Sequence, residues 1–165
     1  MFFIYFLNKF GSVNNFDSLI VKAKYFYLKP LFKNIGRRVN IQPNVQIEGF
    51  HNISIGDNSG IGQRSHITAN DIIEIGENVM IGPQLIMTTS IHGISKEKNM
   101  IDLPVTSKPI KIGDNVWIGA RVTILPGTTI GNNVVIAAGA VVAEDCSSNG
   151  LYGGVPSRII KRIES

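Results

Sequence analysis

The sequence predicts an all-β solenoid, a parallel β-helix of about five coils. It places a helical segment ahead of the coils, one long loop within them and a short helix after them. Three observations carry this. Apolar residues recur every six positions from Ile35 onward, 13 of 15 of them isoleucine. The residue after each start is Gly in eight cases. The interruptions of the period all fall after every third repeat.

The starts group in threes: Ile35, Ile41, Ile47; Ile55, Ile61, Ile67; Ile75, Ile81, Met87; Ile112, Ile118, Ile124; and Ile130, Ile136, Val142. A step of six matches neither a helical period nor simple strand alternation. It fits short strands joined by turns, one apolar side chain inward per face and three faces per coil. The fifth residue of the repeat is compact as well, as in Val39, Ser59, Ser65, Val116, Val122, Val134 and Ala140. The glycines at 36, 56, 62, 76, 82, 113, 119 and 131 stand where a corner needs backbone freedom or where a Cβ is costly. Five coils at strand spacing give a prism of about 24 Å.

Residues 1–34 precede the repeat and form a cap segment. Within it, 16–33 read as a helix, with Asp17–Ser18 as a start signal and Pro30 as a breaker. A solenoid needs such a cover over its open first coil. The apolar start MFFIYFL is too short to span a membrane, and it lacks a positive flank and a cleavage site. Packing on its own domain or a partner is expected of it, with membrane-surface contact second. The repeat domain covers 35–147, with the loop 88–111 inserted. Residues 148–165 follow, and Val155–Ser165, which begins with the Val155–Pro156 pair, reads as a short basic helix.

Bulk composition narrows the function. The net charge of +4 is spread without a dense Lys/Arg run, so nucleic acid is not an expected partner. Residues 1–34 hold five Lys against one Asp, a mild pull toward anionic lipid or a phosphorylated ligand. A single cysteine, Cys146, excludes an internal disulfide and a cysteine metal cluster and agrees with a cytoplasmic protein, with peripheral contact at the inner membrane face as an extension. It falls at an inward repeat position and reads as core filler rather than a nucleophile.

The repeats, together with IGDNVWIGARVTILPGTTIGNNVVIAAGAVVAEDC and LYGGVPSRIIKRI, resemble the hexapeptide-repeat acyltransferases. The likeness is strongest to the maltose/galactoside and polysaccharide O-acetyltransferase branch and runs over residues 35–163. It implies a left-handed coil, a homotrimer with sites between subunits, and transfer of an acetyl group from acetyl-CoA to a hydroxyl of a sugar or glycan precursor, without a metal. Transfer to an amine of an amino sugar and a non-catalytic scaffold are the competing readings.

His92 stands at the root of the long loop, followed by Gly93. An alcohol is a poor nucleophile while protonated, and an imidazole with an ordinary pKa of about 6.5 can take that proton near neutrality. The resemblance places the family's catalytic histidine there. His51 and His66 read as structural or surface residues, so a three-histidine zinc site is disfavoured. The resemblance further carries Ala120 and Ala138 over as groove residues for acetyl-CoA, and Arg158 and Lys161 as phosphate partners. In place of the family's Thr-Lys-Asp, this chain has Ala143-Glu144-Asp145, which shifts more of that load to Arg158, Lys161 and Arg162. Trp117 is expected in the acceptor cleft, with subunit packing as the alternative. The family's acceptor-orienting Asn aligns with Gly62, so Arg64 and Asn70 are the nearby substitutes. Glu97 and Lys98 on the loop tip are weaker candidates.

Overall fold

The computed structural model describes residues 19–164. The apolar start and the Asp17–Ser18 signal lie outside them. The helix α1 (Leu19–Leu28) runs into a 3-10 turn over Lys29–Leu31, so the α-helical hydrogen bonding stops short of Pro30, whose ring and missing N–H end it. Leu28 and Phe32 are buried in the core, and the Phe32 ring meets Phe50 edge-on at 5.1 Å. The segment therefore covers the first coil.

Five complete coils follow. They are β1 (Asn34–Ile35), β2 (Asn40–Ile41) and β3 (Gln46–Glu48); β4 (Ile53–Ile55), β5 (Gly60–Ile61) and β6 (His66–Thr68); β7 (Ile73–Ile75), β8 (Met80–Ile81) and β9 (Ile86–Thr88). After an excursion formed by β10 (Ser90–His92) and β11 (Val105–Ser107) come β12 (Ile110–Ile112), β13 (Trp117–Ile118) and β14 (Thr123–Ile124), then β15 (Thr129–Ile130), β16 (Val134–Ile136) and β17 (Val141–Val142). Each strand pairs in parallel with its equivalent one coil away, giving three sheets. Face A is β1-β4-β7-β12-β15, face B is β2-β5-β8-β13-β16 and onward, and face C is β3-β6-β9-β14-β17. Among the described residues no helix is long and apolar enough to cross a membrane.

The period explains the core. The starts are buried except for the half-buried Ile47, and Val39, Ser59, Ser65, Val79, Leu85, Val116, Val122, Val134 and Ala140 point inward beside them. Ser59 and Ser65 are inside without cost, because their hydroxyls donate to the Gly76 and Gly62 carbonyls (2.8 and 2.7 Å) and accept from the Val79 and Leu85 amides.

The corners refine the reading of the glycines. The eight corner glycines are needed for space: a Cβ on Gly56 would lie 2.6 Å from the Gly76 carbonyl carbon, and one on Gly62 only 2.3 Å from that of Gly82. The positive φ falls two residues later and is carried by side-chain-bearing residues: Arg38, Asn58, Arg64, Asn78, Gln84, Asn115, Arg121 and Asn133, with Asn44 in the same role at the one such corner that opens on Gln42. Asn tolerates this conformation best among them. Along the A–B edge these asparagines form a ladder, with Asn115 donating to Asn133 (2.8 Å) and Asn133 to Asn149 (3.0 Å).

Two expectations are corrected. A partial sixth coil follows the fifth: Cys146 bridges to Ile130, and β18 (Gly150–Gly153) adds to face B beside β16. It escapes the six-residue count because its C–A corner is short, with only three residues between the buried Val142 and Cys146. The C-terminal segment is not a helix. It is β19 (Arg158–Arg162), antiparallel to β18. The last strand of a sheet leaves a row of backbone groups unpaired, and a returning β-branched segment with Ile159 and Ile160 occupies part of that row.

Candidate active site

All extra residues leave from one edge, between faces C and A, as the spacing predicts: a 3-10 turn at Phe50–Asn52, a short bend at 69–71, and the long excursion after Thr88. That excursion has structure of its own. It is a two-stranded antiparallel arm in which Ser90 pairs with Ser107, Ile91 with Thr106 and His92 with Val105. Gly93 sits where the strands come close; its amide donates to the Pro104 carbonyl, and a Cβ would lie 2.9 Å from that of Leu103.

Hydroxyl side chains fix the root of the arm. The buried Thr89 accepts from the Asp71 amide at 3.0 Å through its Oγ1. Its carbonyl takes the returning Lys108 amide (2.9 Å). Thr88 accepts from the Ser90 amide (3.1 Å), and the Asn70 side-chain amide donates to the Ser90 hydroxyl at 2.6 Å. Asn70 and His92 thus belong to one constellation, with Asn70 holding the strand that presents the histidine. The His92 side chain is exposed and has no hydrogen-bond partner among the described residues.

The other candidates lie elsewhere on the same chain. Trp117 is outward on face B, half-exposed between Met80 and Val135 of the neighbouring strands. Arg64, Ala120 and Ala138 lie at the B–C edge. That edge is lined by small residues at its coil-to-coil contact, where Gly82 meets Ala120 and Gly119 meets Ala138. In a three-sided coil, face B is opposite the C–A edge. One subunit therefore does not bring His92 together with Trp117, Arg64 or the groove residues. The absence of an acceptor-orienting side chain at Gly62 has a physical reason, since the next coil fills the space a Cβ would need.

Arg158 is not an unpaired cation. Its guanidinium reaches Glu144 at 3.2 Å, and Arg162 donates to the Ser148 carbonyl. The carboxylate that replaces the family's lysine thus occupies one of the two candidate phosphate partners, and Lys161 is left without such a bond among the described residues. Glu97 and Lys98 sit on a tip turn capped by the Ser95 hydroxyl. His66 bonds to Gln46 on face C, and His51 is in the 50–52 turn. Among the described residues no group of three His, Cys, Asp or Glu is placed to hold a metal ion. Burial pushes the Cys146 thiol up to about 11, which suits a packed residue and not a nucleophile.

Comparison with known proteins resolves the family. The description "Bacterial transferase hexapeptide (six repeats)" matches residues 109–144. Galactoside O-acetyltransferase of Escherichia coli (strain K12) is 36% identical over 143 residues, which is 87% of this chain and 70% of that protein. The chain belongs to the hexapeptide-repeat acetyltransferases. The crystal structure of a maltose O-acetyltransferase from Clostridium difficile 630 superposes with a TM-score of 0.83 at 35% identity, covering 98% of this chain and 83% of that one. A hexapeptide-repeat acetyltransferase from Vibrio cholerae O1 biovar eltor, solved with acetyl coenzyme A, gives 0.85 at 31% identity, covering 98% and 84%.

Proposed function

We propose that this acetyltransferase moves the acetyl group of acetyl-CoA to a hydroxyl of a sugar or glycan precursor, in a site assembled between adjacent copies of a homotrimer, with His92 as general base. The observation that carries the reading is the placement of His92. It is an exposed imidazole on a braced two-stranded arm, projecting from the C–A edge, which lies opposite the face that carries Trp117 and apart from the B–C edge with its small-residue groove. A second copy can supply that opposite side; the same copy cannot. The exposed apolar side chains of the arm, Ile94, Met100, Ile101 and Val105, together with Met80 and Trp117 on face B, are of the kind that subunit contacts cover.

In this reading acetyl-CoA supplies an acyl carbon with a good leaving group. His92 takes the proton of the acceptor hydroxyl as its oxygen attacks that carbon. The new ester C–O bond forms as the C–S bond breaks, and His92 returns the proton to the departing thiolate. Acceptor and acetyl-CoA become ester and free CoA, with no net proton change. The small residues at Gly119–Ala120 and Ala138 leave room for an extended pantetheine arm, and Lys161, with Arg158, offers positive charge to its phosphates. A cytoplasmic site follows from the need for acetyl-CoA.

The test is acetyl transfer by purified protein to a sugar panel, followed by thiol release, with His92→Ala as control. Retention of full activity by His92→Ala would remove the base. A monomer in sedimentation that is fully active would remove the shared site.

A further inference from the structure

We infer that the acceptor carries a phosphate, bound at a cleft on face A at the foot of the arm, with Lys108 as its cation. The inference rests on the proposed sugar O-acetyl transfer and specifies its substrate. The cleft has a volume of about 490 Å³, a size that suits part of a small-molecule ligand, and it is lined by Ile72, Glu74, Lys108, Pro109, Lys111 and Thr129, among others.

Lys108 differs from an ordinary surface lysine in two ways. Its stem is laid against Gly127, where a Cβ would stand 3.0 Å from the lysine Cδ and 3.3 Å from its Cβ. Gly127 has a φ of +83°, a conformation that suits glycine, so the corner both turns there and leaves room for the lysine. The Lys108 amide is also tied to the Thr89 carbonyl at the arm's root. Among the described residues its ammonium has no carboxylate partner.

The surrounding charges define what fits. Lys111 stands beside Glu74, but at 3.9 Å and with both side chains exposed, a loose pair. The Asp145 carboxylate is engaged by the Thr129 amide at 2.7 Å. The cleft therefore presents one lysine without a counter-ion and a second that is weakly held. A compact ammonium acts on a phosphate as a point charge, whereas carboxylates favour the planar fork of arginine.

Position links the cleft to the chemistry. Lys108 follows Val105, the partner of His92, by three residues, about 10 Å along an extended strand. A sugar whose phosphate rests at Lys108 can thus extend a hydroxyl toward the imidazole.

The experiment compares methyl galactoside, galactose 1-phosphate and UDP-galactose as acceptors, with the full-length native protein and Lys108→Glu. In the native protein kcat/KM is expected to be at least ~10-fold higher for one or both phosphorylated sugars than for methyl galactoside, a ratio worth one pair of well-placed charges. In Lys108→Glu that ratio falls to about one or below. Direct binding of the two phosphorylated sugars, measured by calorimetry without acetyl-CoA, runs in parallel. Binding that is lost in Lys108→Glu, with no acetylation of any acceptor, retains the phosphate site and overturns the transfer reaction. Acetylation of methyl galactoside with equal or poorer use of both phosphorylated sugars overturns the phosphate site and retains the reaction. No Lys108-dependent binding of either phosphorylated sugar overturns it as well.

Discussion

The A–B edge and the C–A edge of the prism are built from the same repeat and serve opposite ends. Along the A–B edge a glycine opens the corner in each of the five full coils, at 36, 56, 76, 113 and 131, and a positive-φ residue closes it. Side-chain rungs lock one coil to the next, including the contact in which the Arg37 backbone amide and guanidinium hold the Asp57 carboxylate below its usual range. Along the C–A edge the corner length varies, with steps of eight, eight, 25, six and four residues between inward positions. That edge holds the 3-10 turn, the 69–71 bend, the arm and the shortened last corner. Where every coil must match its neighbour, the repeat tolerates little change. Where the chain may leave the stack, it carries the histidine, the polar brace and the lysine.

If this division holds, damage to the two edges separates cleanly in kind. The largest effect is expected on the irregular edge: His92→Ala loses ~10²–10⁴-fold in kcat, the range for removal of a general base, with an unchanged melting temperature by circular dichroism. On the regular edge Gly56→Ala is expected to destabilise by about 3 kcal/mol, the upper part of the overpacking range. Its Cβ would meet only backbone of the next coil, which cannot rotate away. The melting temperature should drop by roughly 6–12 °C for a chain of this size, while the molecules still folded keep their specific activity.

A smaller effect sharpens the contrast within the C–A edge. Asn70→Ala frees Ser90 and should lower kcat about 10-fold through misplacement of the imidazole, leaving the acceptor KM little changed. Asn70→Asp should recover most of the rate, since the Ser90 hydroxyl can donate to a carboxylate. A rise in KM with kcat preserved would make Asn70 a direct acceptor contact instead. The smallest effect belongs to the ladder. Asn115→Ala should cost about 1 kcal/mol in urea unfolding, from the positive φ together with the lost bond to Asn133. Asn115→Gly relieves the first cause only and should cost less.

Much of the fold is legible because the inward positions repeat. Ile55, Ile75 and Ile112 are buried and stacked in one column, and all three are starts of the six-residue period. The sixth coil is harder to see, because its inward residues are Cys146 and Tyr152 after a contracted corner. The last strand resembles a helix in the bare sequence because a short basic stretch shows no alternation, and the vacant row of backbone groups that recruits it exists only in three dimensions. His92 is visible as the sole histidine in the only long insertion. The Asn70–Ser90 contact spans 20 residues between neighbouring coils and leaves no local mark. The hydroxyl run Thr88-Thr89-Ser90 at the start of the insertion is the one local trace of the brace at the arm's root.

The coils before and after the arm stack directly. Ile75 of β7 pairs with Ile112 of β12, and the Gly76 amide donates to the Ile112 carbonyl at 2.9 Å, as though the chain between them held only the rest of one coil and an ordinary turn. The excursion is therefore a detachable cassette. A bend like that at 69–71 could replace it and leave an inert, intact column, and an arm of different length or chemistry could be grafted at the same two ends to redirect the enzyme toward another acceptor.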